Sequence, residues 1–236
     1  PVAVVILAAG QGSRMKSDLP KVLHKVAQAP LLVHAMRAAQ SIDAERIVVV
    51  TGHGGAQVAE AAREYAPETL LVSQDEQLGT AHAVQQAADV LADFDGDVAV
   101  LYGDTPFIRE ETLQNMLDAR AKGAGVVVLG FEAAEAGRYG RLVLDADGGL
   151  QKIVEAKDAT PEELAITLCN SGVICADRAV LFDLIAAVEN TNASGEYYLT
   201  DVVGLARDRD LPCAAITCPE AETMGVNSRI DLAAAE

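Results

Sequence analysis

The chain has 236 residues, of which 50% are hydrophobic, and its formal net charge is -17 at pH 7. This length allows one large α/β domain or two small ones, and the apolar content is enough to bury a sizeable core. The charge argues against DNA, RNA or an anionic lipid surface as a general partner. No apolar run approaches the ~20 residues that a membrane-spanning helix needs, so we expect neither a nucleic-acid partner nor a membrane.

The start of the chain and its cysteines indicate the cellular compartment. The apolar run that opens the chain is too short for a secretory signal and lacks a basic leader. The four cysteines, at positions 169, 175, 213 and 218, have spacings that match no common zinc or redox motif. Their apolar, strand-like surroundings favour buried free thiols over disulfides. We therefore expect a cytoplasmic protein.

Apolar, strand-like runs alternate with helical patterns along the first 131 residues. Strands are predicted at 2–7, 46–51, 69–73, 97–102 and 125–131, and helices at about 30–42, 55–65, 80–92 and 109–122. Fully apolar strands alternating with helices predict a parallel sheet that is covered by helices on both faces. Ligands of such sheets bind beyond the carboxyl ends of the strands. Glycine-containing turns follow three of these strands, at residues 10, 52 and 103, so they are expected at one edge.

The pattern changes from about residue 138. Residues 141–155 read as a β-hairpin that turns at Asp147, Gly148 and Gly149. A strand at 170–176, helices near 177–189 and 197–207, and a strand at 213–217 follow, and the last residues, from 233, resemble the start of a helix. We interpret this half as antiparallel elements attached to the parallel sheet, in one domain with two lobes.

The glycine-rich segment after the first strand is the strongest functional signal. Residues 7–15 read LAAGQGSRM, and Pro20 and Lys21 follow shortly. Backbone N–H groups of such a loop can approach a polyphosphate closely, and Arg14 and Lys21 add positive charge. Residues 1–25 hold four basic residues and one acidic residue, a local charge of +3 in an acidic chain. The pattern predicts a site for a nucleoside triphosphate.

The alternative interpretation of this segment is a surface turn with ordinary solvated charges. It is not a P-loop, because no Gly-Lys-Ser/Thr is present, and Met15 stands where a dinucleotide fingerprint has its third glycine. The GHGG sequence at 52–55 is interpreted as a strand-to-helix turn. The four histidines are scattered and none is paired with a recognisable Ser or Cys nucleophile, so Ser/His/Asp catalysis is not expected.

Three other positions carry candidate chemistry. Asp104 directly follows an apolar strand and is placed to hold Mg²⁺, which prefers one or two carboxylates together with phosphate oxygens; the alternative is a turn residue before the next helix. In the loop 74–81, the amide of Gln74 can match a base edge and Gly79 allows a flat base to approach. Thr80 as a helix N-cap is the plainer reading of that loop. Asn227 by itself is a polar turn residue.

Together these segments resemble the sugar-nucleotide pyrophosphorylase family, and most specifically the uridyltransferase domain of the bacterial bifunctional N-acetylglucosamine 1-phosphate uridyltransferases/glucosamine 1-phosphate acetyltransferases. The resemblance spans nearly the whole chain. It rests on LAAGQGSRM at 7–15, LPKVLH at 19–24, QLGTAHA at 77–83, YGDTP at 102–106, YGR at 139–141, IVE at 153–155, NSG at 170–172, GEYYLTD at 195–201 and GVN at 225–227. The segments at 77–83 and 195–201 are the most specific to the N-acetylglucosamine branch.

The resemblance implies an α/β fold of the Rossmann-like nucleotidyltransferase (glycosyltransferase-A-like) type, a mostly parallel mixed sheet flanked by helices with an antiparallel sugar-binding lobe. The single domain would comprise a nucleotide-binding lobe at about 1–137, a sugar-binding lobe at about 138–225 and a return segment at 226–236. Implied site residues are Arg14 and Lys21 for catalysis; Leu7, Ala8, Ala9, Gly10, Gln74, Gly79, Thr80, Tyr102 and Gly103 for the nucleotide; Gly140, Glu155, Asn170, Tyr198 and Thr200 for the sugar; and Asp104 and Asn227 for the metal.

The implied reaction transfers uridylyl from UTP to N-acetylglucosamine 1-phosphate with Mg²⁺ as cofactor, for bacterial cell-envelope precursors. The attacking phosphate is already anionic, so no protein nucleophile is required. A related nucleotidyltransferase with another sugar or base, or a silent nucleotide-sugar-binding domain, remain the alternatives. The acetyltransferase β-helix of the family, which forms its trimer, has no counterpart in these 236 residues, so we expect a monomer or weak oligomer without acetyl transfer.

Overall fold

The computed structural model describes residues 1–52 and 54–236. The strands are β1 (Val2–Leu7), β2 (Lys25–Val26), β3 (Ala29–Pro30), β4 (Arg46–Thr51), β5 (Leu70–Ser73), β6 (Asp97–Tyr102), β7 (Val126–Glu132), β8 (Arg141–Leu144), β9 (Leu150–Val154), β10 (Leu168–Asp177) and β11 (Cys213–Thr217). The α-helices are α1 (Leu31–Ser41), α2 (Gly55–Tyr65), α3 (Thr80–Gln85), α4 (Glu110–Ala121), α5 (Pro161–Leu164), α6 (Arg178–Ala186), α7 (Asp201–Asp208) and α8 (Arg229–Ala235).

The main sheet is mixed and mostly parallel, as predicted. Its strand order is β11-β7-β10-β6-β1-β4-β5, and the β8–β9 hairpin joins it through β10. Strands β1, β4, β5 and β6 pair in parallel, whereas β10 runs antiparallel to both β6 and β7. Strand β11 was expected in an antiparallel half, but it pairs in parallel with β7.

Strand β10 connects the two halves of the sequence. It lies between β6 and β7, which belong to the first half, so the sheet itself crosses the predicted lobe boundary at residue 137. One sheet thus contains strands from both predicted lobes. The lobe boundaries stay a prediction. The predicted hairpin is confirmed, since β8 pairs antiparallel with β9.

Both faces of the sheet are covered, which explains why the strands are apolar throughout rather than alternating. In β1, Ala3 and Val5 face a cluster that includes residues of α3, α6 and α7. Val4 and Ile6 face the opposite cluster, which includes residues of α1, α2 and α4. All four side chains are 0% exposed.

Three helix boundaries differ from the prediction. The pattern at 80–92 predicted one helix, but α3 ends at Gln85 and a 3₁₀ turn follows at Asp89–Leu91; apolar residues three apart suit both helix types, so spacing cannot separate them. Helix α7 begins at Asp201 rather than near 197, because the preceding residues bond to another loop, as described below. Helix α8 begins at Arg229 rather than 233, since Ser228 accepts a hydrogen bond from Asp231 N as its N-cap.

The expected free thiols are confirmed. Cys169, Cys175 and Cys213 are buried, Cys218 is partly buried, and all four are unpaired. Burial raises the pKa of the Cys213 and Cys218 thiols to about 11, so both stay protonated near neutral pH. Among the helices at residues 1–52 and 54–236, none is both long and apolar enough to span a bilayer.

Candidate active site

The carboxyl ends of β1 and β6 meet at one edge of the sheet. Leu7 and Tyr102, the last residues of the two strands, are paired in register. The N–H of Gly103 donates to Leu7 O at 2.9 Å, and a Cβ at Gly103 would lie 3.2 Å from that same oxygen. Gly103 therefore lets the loop after β6 approach the glycine-rich loop closely, although it does not line the cavity between them.

The predicted gathering of the three glycine turns is also observed. A Cβ at Gly52 would lie 2.9 Å from Ala9 O, so the turn after β4 packs directly on the glycine-rich loop. Of the turn at 52–55, His53 lies outside the residues that the structure describes. Gly54 and the start of α2 at Gly55 agree with the interpretation of this segment as a strand-to-helix turn.

A cavity of about 240 Å³ opens at this edge. Most of the residues predicted to bind the nucleotide line it, together with two predicted for catalysis and the metal: Leu7, Ala8, Ala9, Gly10, Lys21, Gln74, Gly79, Thr80, Tyr102 and Asp104. The sequence interpretation assigned no role to four further lining residues, Val22, Gln77, Ala83 and Glu196. All four stand within the motif segments at 19–24, 77–83 and 195–201, a signal that could have identified them.

Lys21, Asp104 and Asn227 form a compact polar cluster beside this cavity. Lys21 Nζ donates to Asp104 Oδ2 at 2.6 Å and to Asn227 Oδ1 at 2.9 Å. The ion pair is well enclosed, with the side chains of Lys21 and Asp104 13% and 18% exposed. Asn227 reaches it because Val226 N donates to Asp104 O at 2.9 Å, which ties the return segment to the loop after β6. The two predicted metal ligands are thus adjacent.

The donor set of this cluster suits a hard divalent cation. A carboxylate oxygen and an amide oxygen converge on one position, which the Lys21 ammonium takes in this structure. Mg²⁺ characteristically uses one or two carboxylates plus substrate phosphates rather than a complete protein cage. Among the described residues, no group of three or more His, Cys, Asp or Glu side chains is placed to hold a metal.

Arg14 is not brought into the cavity. It lies exposed on the 3₁₀ turn Ser13–Met15 and makes no hydrogen bond or ion pair with any described residue. The turn itself is anchored, because Met15 is fully buried and its carbonyl accepts from Arg229 Nε of α8 at 3.2 Å. The role of Arg14 stays a prediction.

The loop before α3 is locked to the segment before α7. Tyr197 N donates to Leu78 O at 2.8 Å, and Ala81 N donates to Tyr197 O at 2.9 Å. Leu199 N donates to Thr80 Oγ1 at 2.9 Å. The Thr80 hydroxyl therefore does not cap α3, and the N-cap reading of this residue is wrong.

Gly79 is essential to this lock. Its φ of +115° and ψ of 177° lie in a region that is open essentially only to glycine. A Cβ there would lie 2.6 Å from Tyr197 O and 2.8 Å from Tyr197 N. The glycine therefore permits backbone contact between the two segments that most specifically carry the family resemblance.

Gln74 is buried at the base of the cavity, with only 3% exposed. Its Nε2 donates to Gly79 O at 3.1 Å and contacts His82 Nδ1 at 2.9 Å. Its Oε1 accepts no hydrogen bond from the described residues. The Oε1 atom of Gln74 is thus free to accept a hydrogen bond from a base, whereas its Nε2 already donates within the protein. The role of Gln74 in base binding stays a prediction.

A second, larger cavity of about 630 Å³ adjoins the first and shares Thr80 and Glu196 with it. Glu155 and Tyr198, two of the residues predicted for the sugar, line its wall. Asn170 and Thr200 instead line a narrow cleft next to Tyr102. Gly140 lines none of these spaces, but its carbonyl accepts from Asn170 N at 2.8 Å.

Two titratable side chains of the site, Glu155 and Tyr102, have raised pKa values. Desolvation by burial raises the pKa of the Glu155 carboxyl above its usual value, opposed by a 3.1 Å hydrogen bond from Thr200 Oγ1. Burial, with the nearby Asp104 and Glu155 charges, also raises the pKa of the Tyr102 phenol. Tyr102, which lines the first cavity and the narrow cleft, therefore stays neutral.

This fold and edge site define a nucleotidyltransferase-like α/β protein. Residues 4–195 match the family model of the MobA-like NTP transferase domain, and the chain belongs to that family. It is 63% identical to the bifunctional protein GlmU of Cereibacter sphaeroides, over 100% of this chain and 51% of the relative. GlmU proteins of Dinoroseobacter shibae and Paracoccus denitrificans are 62% and 53% identical, again over 100% of this chain and 52% of theirs.

The chain spans about half the length of the curated relatives that it matches. The resemblance inferred from the motifs is thereby confirmed. Two solved structures share the fold. A UDP-glucose pyrophosphorylase complexed with UDP-glucose has a TM-score of 0.75 at 17% identity, covering 99% of this chain and 96% of its own. A putative glucose-1-phosphate thymidylyltransferase from Bacillus anthracis, in complex with a sucrose, has a TM-score of 0.78 at 21% identity, covering 100% and 94%.

Proposed function

We propose that this chain transfers the uridylyl group of UTP to N-acetylglucosamine 1-phosphate, giving UDP-N-acetylglucosamine and pyrophosphate for cell-envelope precursor synthesis. The observation that carries the proposal is the meeting of Lys21, Asp104 and Asn227 beside the glycine-rich loop, where Lys21 and Asp104 line the first cavity. The similarity of the whole chain to about half the length of GlmU proteins supports the choice of substrates.

In this reaction an oxygen of the sugar phosphate bonds to the α-phosphorus of UTP, and the bond from that phosphorus to the bridging oxygen breaks. Pyrophosphate leaves with that oxygen. Reactions of this kind depend mainly on positioning and charge neutralisation. The absence of any recognised nucleophile–base pair in the sequence is compatible with such a mechanism.

The residues divide these tasks. The backbone of residues 7–10 and the Lys21 ammonium hold the triphosphate, and we assign Arg14, which lies exposed on the turn after this loop, to the same phosphates. Gln74 and Gly79 receive the base, while Glu155 and Tyr198 receive the amino sugar. Asp104 and Asn227 would hold a divalent cation, which we take to be Mg²⁺; when bound, it supplies positive charge that neutralises the phosphates.

Pyrophosphate release tests the proposal. The native chain is assayed with UTP and N-acetylglucosamine 1-phosphate, with and without Mg²⁺, against CTP, ATP, dTTP and other hexose 1-phosphates. We expect metal-dependent release that is fastest with the named pair. Equal or faster turnover of another base or sugar would overturn the substrate assignment, and release by no pair would overturn the activity.

Asp104→Asn and Asp97→Asn form a matched pair of variants for the same assay. Asp104 lies two residues beyond the carboxyl end of β6, whereas Asp97 begins the strand at the opposite end and pairs with Arg120 at 2.8 Å. Asp104→Asn should lose about 10²-fold or more in turnover, as expected when charge stabilisation of a transition state is lost. Asp97→Asn should keep the native rate; equal activity of the two variants contradicts the site.

A further inference from the structure

Arg141 is a buried cation whose observed hydrogen-bond partners are all main-chain oxygens. It lies on β8, is 3% exposed, and forms no ion pair with any described carboxylate. Its Nη atoms donate to the carbonyls of Ala136, Gly137, Tyr139 and Leu164, whereas its Nε has no partner. Burying a charge without a counter-ion is costly, so the burial of Arg141 without a carboxylate partner needs a physical explanation.

The carbonyls that accept hydrogen bonds from Arg141 belong to two separate segments. Ala136, Gly137 and Tyr139 belong to the loop between β7 and β8, and the carbonyl of Leu164 is at the end of α5. The first segment carries Arg138 on the wall of the larger cavity, and the second starts from Glu155 on the same wall. The planar, forked guanidinium can hold several acceptors in fixed directions at once. Arg141 thus ties together the two segments to which Arg138 and Glu155 belong.

One of these contacts sets the direction of a neighbouring donor. The carbonyl of Tyr139 and the N–H of Gly140 belong to one planar peptide group, in which they point in opposite directions. Because Arg141 holds the Tyr139 oxygen, it also orients the Gly140 N–H. That N–H donates to no described residue, while the Gly140 carbonyl is fixed by Asn170 N. The peptide between Tyr139 and Gly140 is therefore fixed through its oxygen, the peptide that follows is fixed through Asn170, and the N–H of the buried Gly140 has no partner among the described residues.

We infer that Arg141 is a positioning residue for the sugar phosphate: it holds the peptide between Tyr139 and Gly140 so that the Gly140 N–H is ready to bind that substrate. The inference rests on the proposed function. It assigns Arg141 no contact with the reacting atoms. Substitution of Arg141 should therefore weaken the binding of the sugar phosphate, while the binding of the nucleotide and the rate of the chemical step stay unchanged.

The kinetic test compares Arg141→Met and Arg141→Lys with Arg207→Met. Arg207 pairs with Asp145 at 2.9 Å, at the turn of the same β8–β9 hairpin, so its loss is the matched control. In Arg141→Met the KM for N-acetylglucosamine 1-phosphate should rise about tenfold, as for one lost hydrogen bond, with the KM for UTP and kcat within twofold of native. Arg141→Lys, which keeps one donor, should show a smaller rise, and Arg207→Met none.

Two kinetic results would overturn the inference. A native KM for the sugar phosphate in Arg141→Met shows that Arg141 has no such role. Parallel rises of both KM values, with lower kcat, show general loosening instead. If Arg141→Met does not fold, as judged by circular dichroism, Arg141→Lys provides the same comparison.

Amide hydrogen exchange tests the inference without turnover. In the Arg141 variants, exchange at Asn170 N, which is bonded to Gly140 O, should speed up. Exchange at Gly149 N, bonded to Asp145 Oδ1 at 2.8 Å in the hairpin turn, should not change. Unchanged exchange at Asn170 overturns the inference. If the substrate panel instead selects another hexose 1-phosphate, the proposed substrate fails, but the KM for that sugar phosphate still decides the role of Arg141.

Discussion

Replacing Gly79 by alanine should destabilise the fold and damage the nucleotide cavity together. An alanine at φ +115° and ψ 177° would be in a backbone region that costs about 1–3 kcal/mol for other residues. Its Cβ would also lie 2.6 Å from Tyr197 O, so the two backbone hydrogen bonds of Tyr197 must lengthen or break. Each contributes about 0.5–1.5 kcal/mol. The total loss in the free energy of unfolding is therefore about 2–6 kcal/mol.

Gly204→Ala is the matched control for this experiment. Gly204 lies within α7, and a Cβ there would meet nothing within 4 Å. Alanine is favoured over glycine inside a helix by about 0.5–1 kcal/mol, so this variant should be slightly more stable than the native chain. The same Gly→Ala change is thus expected to have opposite signs at the two positions.

Urea unfolding followed by circular dichroism measures both effects, and titration with UTP measures the cavity. Gly79→Ala should lower the unfolding midpoint and weaken UTP binding at least tenfold, whereas Gly204→Ala should bind UTP normally. Native stability of Gly79→Ala would refute the reasoning, because it would mean that the two loops are not locked as the structure has them. Loss of stability with normal UTP binding would show that the contact between the loop before α3 and the segment before α7 supports the fold but not the nucleotide site.

Three further predictions concern the site itself. Asn227→Ala should reduce turnover by about 10²-fold with an unchanged urea midpoint; a normal rate at low Mg²⁺ would contradict its role. In Lys21→Ala, Mg²⁺ should raise the melting temperature more than in the native chain, because the ammonium no longer stands between the two oxygens; equal shifts would contradict this. Burial raises the pKa of Glu155, so the folded chain holds that proton more tightly and the free energy of unfolding falls as pH rises above the ordinary value of 4.5. Glu155→Gln, which keeps an acceptor for Thr200, should therefore gain stability at pH 8 but not at pH 4, and a pH-independent gain in urea unfolding would contradict the cause.

The sequence by itself determined the local elements and the chemical parts of the site. The runs at 2–7, 46–51 and 97–102 coincide with β1, β4 and β6, because β-branched apolar residues fit a strand that is buried on both faces. The glycine-rich loop and Asp104 follow β1 and β6 in the chain. Parallel strands end at one edge of a sheet, so their proximity could be predicted from order alone.

Only the tertiary structure decided which distant segments meet. Nothing local in the pattern at 168–177 shows that β10 lies between β6 and β7, since an apolar strand pairs equally well with many neighbours. Likewise, Asn227 looks like a turn residue until the backbone bond from Val226 to Asp104 brings it to Lys21, 206 residues away in sequence. The closing of such long loops is decided by the packing of the whole core rather than by the residues at either end, which is why the sequence predicted these groups but not their arrangement.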